Sequence, residues 1–265
     1  MVLLLVLVSR LNIYKITIQY KGTHYQGFQV QSVGRTIQGE INSALKILSK
    51  SEEIKSVGSG RTDAGVHALA QVMRIEIPVD IPADNLARAM NSMLPDDIRV
   101  IDAIVVNDNF HPIFSAKSKE YNYVFSNESA SSPFAGELLT YFPGDLDIEL
   151  MKKGCAVFCG EHDFINYQCV GTEVESTVRK IMSCEIVKLD SSGHWKNFTG
   201  EYYVFKVTGN GFLKQMVRLL MGALISLGKG KITMEDLEKS LKTPLKNRLG
   251  PTAPPQGLYL KEVHY

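Results

Sequence analysis

The chain has 265 residues, 45% of them apolar, 22% charged and 9% aromatic, the balance of a globular protein and not of a disordered or fibrous one. That length predicts one large or two ordinary domains, with a core big enough to stand without disulfides or metals. Twenty-nine Lys and Arg against 28 Asp and Glu leave a net charge of +1. A bulk polycation is excluded, so a nucleic-acid site would have to come from local clustering of charge.

The first ten residues read MVLLLVLVSR. The apolar run is far short of the about 20 residues that span a membrane. A signal peptide would carry its positive charge ahead of the run and a small-residue cleavage site behind it; here the first basic residue, Arg10, comes after. The segment reads as a hydrophobic extension leading into the first strand, with the cytoplasm as the expected location and no membrane partner. Cys155, Cys159, Cys169 and Cys184 form no CxxC pair and have no zinc-finger histidine spacing. They are expected to be reduced and mostly buried.

Residues 13–20 alternate, with Tyr14, Ile16, Ile18 and Tyr20 on one face of a half-buried strand. After a loop rich in Gly, Gln and aromatics, Ile37, Ile41, Ala44, Leu45 and Leu48 recur at helical spacing, with Thr36 placed to cap. A strand near 70–77 alternates Met73, Ile75 and Ile77 with Arg74 and Glu76. Pro82 opens a second helix, with Leu86, Ala89, Met90 and Met93 on one face. A strand near 98–106 closes this half, whose order is read as β-α-β-β-α-β, a ferredoxin-like or RRM-like α+β layout with an antiparallel sheet. Asn107-Asp108-Asn109 is the expected joint.

Residues 1–107 and 108–265 are therefore expected as two α+β domains. The second has a strand near 119–126, a helix around 147–160, strands near 178–189 and 202–208, a long helix over 211–227, a short helix near 233–241 and a last strand near 257–264. No literal repeat relates the halves. Between Lys206 and Arg248 lie nine basic residues and only Glu235, Asp236 and Glu238 as acids, the strongest charge asymmetry in the chain. By itself it reads equally as a solvated helix face.

The most informative string is GSGRTDAGVHA, residues 58–68. Glycines on both sides permit a tight turn and close approach of a ligand. Arg61 and Asp63 are two apart, so in extended backbone they face one side. Asp63 is ionised at neutral pH without special tuning and could act as nucleophile or base, with Arg61 gripping a phosphate. A structural turn, with Asp63 on backbone amides and Arg61 solvated, accounts for the same residues. An Asp63/His67 metal pair would need a helix that Gly65 disfavours, so no metal is expected. Taken alone, Tyr121 reads as strand core, Arg218 as a helix cation and Leu258 as a strand leucine.

The string nevertheless resembles the signature of the tRNA pseudouridine synthase A family, and the similarity continues in order. IQYKGTHYQGFQVQ with RTIQGEI, NFHPIFSAKSKEYNYVF, FCGEHDF, GNGFLKQMVRLLMGALISLGKGK and PPQGLYL all resemble that family's motifs, from about residue 13 to 263. The resemblance implies an isomerase that detaches uracil from C1′ of its ribose, rotates it and rejoins it through C5, with no cofactor or metal. Asp63 would be the essential carboxylate, attacking C1′ or removing a ribose proton. Arg61 would fill the space left by the flipped base and grip the backbone. Tyr121 would stack on the uracil and assist proton removal from C5. Arg218 would pair with Asp63, and Leu258 would lie under the base. The substrate implied is uridine at positions 38–40 of the tRNA anticodon stem-loop, and the assembly a homodimer. The fold expected is two such halves forming a continuous sheet and a central cleft, with RNA held in a localised basic cleft.

Two departures stand out. Ile113 occupies the position in HPIFSA where the family commonly has Arg, and INY follows FCGEHDF where a small hydroxyl residue is usual. A silent RNA-binding protein on this scaffold would be expected to lack Asp63 or Tyr121. A glycosidic hydrolase would usually need a second carboxylate, and none neighbours Asp63.

Overall fold

The computed structural model describes residues 11–127, 133–169, 171, 174–189 and 201–265; the apolar N-terminal run lies outside them. The first half folds as β1 (Asn12–Tyr20), α1 (Ile37–Ser49), β2 (Lys55–Gly58), β3 (His67–Ile77), α2 (Ala83–Asn91) and β4 (Ile98–Val105). The alternation in β1 places Tyr14, Ile16 and Ile18 fully inside, in one core with Ile41 and Leu45 of α1 and Leu86 and Met90 of α2. Thr36 caps α1, its hydroxyl accepting from the Gly39 amide at 3.2 Å. The sequence pattern supplies three of the four strands. The fourth, β2, is too short and too polar (KSVG) to show a period.

The second half contains β5 (Ser118–Ser126), β6 (Thr140–Tyr141), α3 (Ile148–Val157), β7 (Gly160–Asp163), β8 (Val178–Lys188), β9 (Tyr202–Gly209), α4 (Met216–Gly228), α5 (Met234–Lys239) and β10 (Leu258–His264). The long helix starts five residues later than its apolar pattern suggests. Gln215 takes a left-handed φ of 63°, and Phe212, at helical spacing from Met216, instead packs edge-on to Tyr121 with ring centroids 5.1 Å apart. A tertiary aromatic contact has overridden the local period.

All ten strands among the described residues join one sheet, in the order β4-β1-β3-β10-β5-β9-β8-β7, with β2 beside β3 and β6 beside β5. The two halves follow one plan. In the first, the last strand β4 pairs the first strand β1, which pairs β3, which pairs β2. In the second, β10, β5, β9 and β8 repeat that arrangement. The expectation of wholly antiparallel sheets is corrected at two places: β10 runs parallel to β3, and β6 parallel to β5. The first of these is the seam. β10 returns from the far side of the second half after α4 and α5 and pairs only Tyr259 and Leu260 with His67 and Ala68.

That seam positions the site. The long strand β3 lends one stretch of its edge to β2, pairing residues 73–76, and its other end to β10. The chain between β2 and β3, residues 59–66, is squeezed out where the two neighbours meet, and it carries Arg61 and Asp63.

The four cysteines form no disulfide among the described residues; Cys155 is buried and the other three are only half-buried, more accessible than expected. Among the described residues no helix is long and apolar enough to cross a membrane.

Candidate active site

The loop that carries Asp63 is fixed by its backbone and by a buried polar layer beneath it. Thr62 accepts from the Phe28 amide at 3.1 Å, Gly65 donates to Tyr25 at 3.3 Å, and the Val66 amide closes a turn onto the Asp63 carbonyl at 3.1 Å. Gly65 at the bend takes φ 78°, a conformation open to glycine without strain. Below, the Tyr20 hydroxyl lies 2.8 Å from Thr62 Oγ1. Ser59 Oγ donates to Gln71 Oε1 at 2.6 Å, and Gln71 Nε2 donates to the Gly60 carbonyl at 2.9 Å. Lys119 Nζ donates to the Ser59 carbonyl at 2.5 Å, and burial pushes its pKa down. Buried polar groups are tolerated when each finds a partner, and here the partners are the loop itself.

Asp63 faces Arg218 of α4. The Arg218 Nη1 donates to Asp63 Oδ2 at 2.8 Å, with side-chain exposures of 12% for Arg218 and 22% for Asp63. Partial burial removes much of the solvent screening that makes surface pairs weak. The guanidinium is aimed from its other side, since Nε donates to the Ala253 carbonyl at 2.7 Å and the Ala253 amide returns a bond to the Arg218 carbonyl at 3.1 Å.

All five residues singled out in the sequence line one cavity of about 810 Å³: Arg61, Asp63, Tyr121, Arg218 and Leu258. Arg61 sits exposed at its rim, two residues from Asp63. Tyr121 of β5 is buried, and burial together with the Asp63 charge holds its hydroxyl above the ordinary tyrosine range. Leu258, the first residue of β10, faces Tyr123 across the ladder and supplies an apolar wall. Phe212, Lys214 and the loop residues Gln29 and Gln31 are among the other residues that line it.

The supporting residues Gln71 and Lys119 are not legible in the sequence, because a polar residue within a strand reads as solvent-facing; Tyr20 reads as one of the apolar-face residues of the first strand and not as a support of the loop. The basic stretch is also corrected. Of its nine cations only Lys214 and Arg218 line the cavity. Lys206 pairs with Glu185 at 3.4 Å, Lys229 donates to the Pro143 carbonyl at 2.9 Å and Arg248 reaches Thr252 at 3.3 Å. Residues close in sequence are spread over one strand, two helices and the loops around them.

Of the two departures, Ile113 is exposed on a turn in which its amide and that of Phe114 donate to His111 Nδ1 at 3.2 and 3.3 Å. Ile165 is also exposed, on a 3-10 turn, while its neighbour Asn166 donates to the Ser240 and Thr243 carbonyls and accepts from the Leu245 amide at 2.8 Å. This segment is tied to the loop after α5 by an amide side chain. Among the described residues, one set of three potential metal ligands clusters, Glu120, Glu262 and His264, and none of them lines the cavity. His67 cannot join Asp63 as a ligand pair, because both its ring nitrogens meet backbone groups.

A half-buried carboxylate held by a fixed arginine, beside a buried tyrosine and an apolar wall, is the equipment of an enzyme. The sequence profile described as tRNA pseudouridine synthase matches residues 16–115 and 155–265. The tRNA pseudouridine synthase A of Bacillus pumilus is 41% identical over 252 residues, covering 95% of this chain and 98% of that protein. Those of Bacillus licheniformis and Latilactobacillus sakei are 40% and 36% identical with the same coverage. A chain in the crystal structure of a Cbf5-Nop10-Gar1 complex is 12% identical and covers 93% of this chain and 57% of that one, at a TM-score of 0.34, too loose a likeness to carry an argument. The matches define an isomerase. The chain belongs to the tRNA pseudouridine synthase family.

Proposed function

We propose that this isomerase converts uridine to pseudouridine in the anticodon stem-loop of tRNA, at positions 38, 39 and 40, working as a cytoplasmic homodimer with Asp63 as the essential carboxylate. The observation that carries the reading is the Arg218–Asp63 pair in a cavity shared with Tyr121 and Leu258. The target uridine leaves its stack and enters the cavity. Its base lies between the Tyr121 ring and Leu258, at a cost in unstacking that these apolar faces offset. The ionised Asp63 then attacks C1′ of the ribose, or removes a ribose proton, as the glycosidic bond breaks and uracil leaves as an anion.

Arg218 aims Asp63 through its ion pair, and Arg61 at the rim takes the backbone of the extruded nucleotide with its planar fork. After the base turns, C5 bonds to C1′ as the Asp63 carboxylate leaves C1′ or, on the other route, as Asp63 returns the proton to the ribose, and the C5 proton is lost. The buried Tyr121 hydroxyl, protonated at neutral pH, is placed to relay that proton. The reading of the stem-loop by shape and phosphate contacts lets three neighbouring positions share one site.

Transcripts carrying 5-tritiated uridine at only one of positions 38, 39 or 40 test the assignment. Tritium release from each, without free uracil, is the expected result. No release from any of the three labelled positions would refute the site assignment, and free uracil would indicate a glycosidic hydrolase.

A further inference from the structure

His67, the first residue of β3, is 1% exposed and lies four residues past Asp63. Its ring is engaged on every side. The Gly22 amide donates to Nδ1 at 3.0 Å, and Nε2 lies 3.2 Å from the Gln256 carbonyl. An amide can only donate and a carbonyl can only accept, so Nδ1 carries the lone pair and Nε2 the proton. The ring stacks on Tyr259, with centroids 4.8 Å apart and planes 26° from parallel, and Tyr259 is also its partner in the parallel β3–β10 ladder.

Those contacts gather the Asp63 loop, which lines the cavity, and two turns beside it. Gly22 belongs to the turn after β1. It presses so closely on the Asp63 loop that a Cβ there would lie 2.0 Å from the Val66 carbonyl oxygen. Gln256 belongs to the 3-10 turn Pro255–Gly257, which delivers Leu258 to the cavity wall. The turn from Asp63 to Val66 ends directly on His67. The parallel pairing at this seam is only two residues long, so the backbone ladder alone holds the two halves together weakly here.

We infer that His67, as the neutral Nε2–H imidazole, is the positioning residue that pins the Asp63 loop of the first half to the Leu258 strand of the second. The inference rests on the reading of Asp63 as the essential carboxylate. His67 touches no part of the cavity, so it acts through Asp63 and Leu258 by fixing the distance between the carboxylate and the wall under the base. Burial holds its pKa below that of a free imidazole, with Lys21 acting in the same direction and Glu137, from the 133–139 segment, opposing it. The neutral form that the pin requires is therefore the one present at neutral pH. A second proton, on Nδ1, would face the Gly22 N–H and break the clamp.

His67→Phe keeps the ring volume and the stack on Tyr259 but makes neither hydrogen bond. His67→Gln retains an amide that can donate toward Gln256. Single-turnover tritium release at saturating tRNA, tRNA affinity by filter binding and folded fraction by circular dichroism are measured on both variants and on Asp63→Asn. Misplacement by about an ångström costs on the order of 10²-fold in rate. The pin predicts a loss of that order in His67→Phe with tRNA affinity kept, and partial recovery in His67→Gln. His67→Phe turning over like wild type, or losing affinity as much as rate, overturns the pin. If Asp63→Asn is silent in that same experiment, the carboxylate reading survives and the pin alone fails. An active Asp63→Asn refutes the carboxylate reading, and the pin with it.

Discussion

Arg218 and Asp63 are 155 residues apart in sequence, and the guanidinium Nη1 meets the carboxylate Oδ2 at 2.8 Å. The arginine comes from a helix of the second half and the aspartate from a loop of the first, so the pair spans the seam between them. Replacing Arg218 by Ala leaves a half-buried carboxylate without its partner. A stability loss of about 1–3 kcal/mol is expected, from urea midpoints. Turnover should fall far more than tRNA affinity, because the lost contact is to the carboxylate and not to phosphate. Arg218→Lys should restore little, since lysine lacks the planar fork whose separate Nη1 and Nε reach Asp63 and the Ala253 carbonyl.

Tyr121 gives a prediction with a pH axis. Burial and the neighbouring Asp63 charge both raise its pKa above 10.0, so the phenol stays protonated across the neutral range. Single-turnover rates should show no limb assignable to Tyr121 below pH 10. Tyr121→Phe keeps the ring for stacking and loses the proton relay, so binding persists while the rate falls by about 10²–10⁴. An alkaline limb near neutrality that vanishes in Tyr121→Phe would count against this account.

The layer under the loop predicts a cost with no contact to substrate. Gln71→Leu removes the acceptor of Ser59 and the donor to the Gly60 carbonyl, leaving a buried hydroxyl and a half-buried carbonyl without them. A loss of roughly 1–3 kcal/mol follows, measured by denaturant unfolding, with a slower reaction because Arg61 and Asp63 lose their floor. A neutral result would mean that the loop is held by its backbone bonds alone.

His67 makes stability depend on pH. Its folded pKa is lowered from 6.5, mainly by desolvation, so between the folded value and 6.5 the unfolded chain binds more protons than the native one. The stabilisation is complete above pH 6.5 and is lost as pH falls from there through the folded pKa. Unfolding free energy measured from pH 7.5 down to 5 should decline more steeply for wild type than for His67→Gln. Equal slopes would contradict it.

How much of this could be read from the chain follows from the kind of signal each feature leaves. The β1 alternation and the Thr36 cap are local, and both appear where the residues indicate. The start of α4 was misjudged because Phe212 keeps the helical period while its ring serves Tyr121. The parallel seam was invisible, since two residues of pairing leave no pattern. Asp63, Arg61, Tyr121, Arg218 and Leu258 were found through motifs, and nothing in their individual types foretold that they share one cavity. Gln71 and Lys119 escaped because only the fold shows that their polar atoms point inward, under the loop, and Tyr20, placed on the patterned face of the first strand, gave no sign that its hydroxyl meets Thr62. The basic stretch overstated its case, because charge summed along the chain says nothing of where helices and strands carry it.

The central claim is that Asp63 supplies the chemistry. Tritium release from 5-tritiated tRNA is followed for wild type, Asp63→Asn and Asp63→Glu, with binding checked on the same tRNA. Asp63→Asn is isosteric but uncharged; it should bind tRNA and release no tritium above background. Release by Asp63→Asn at the wild-type rate would contradict the account.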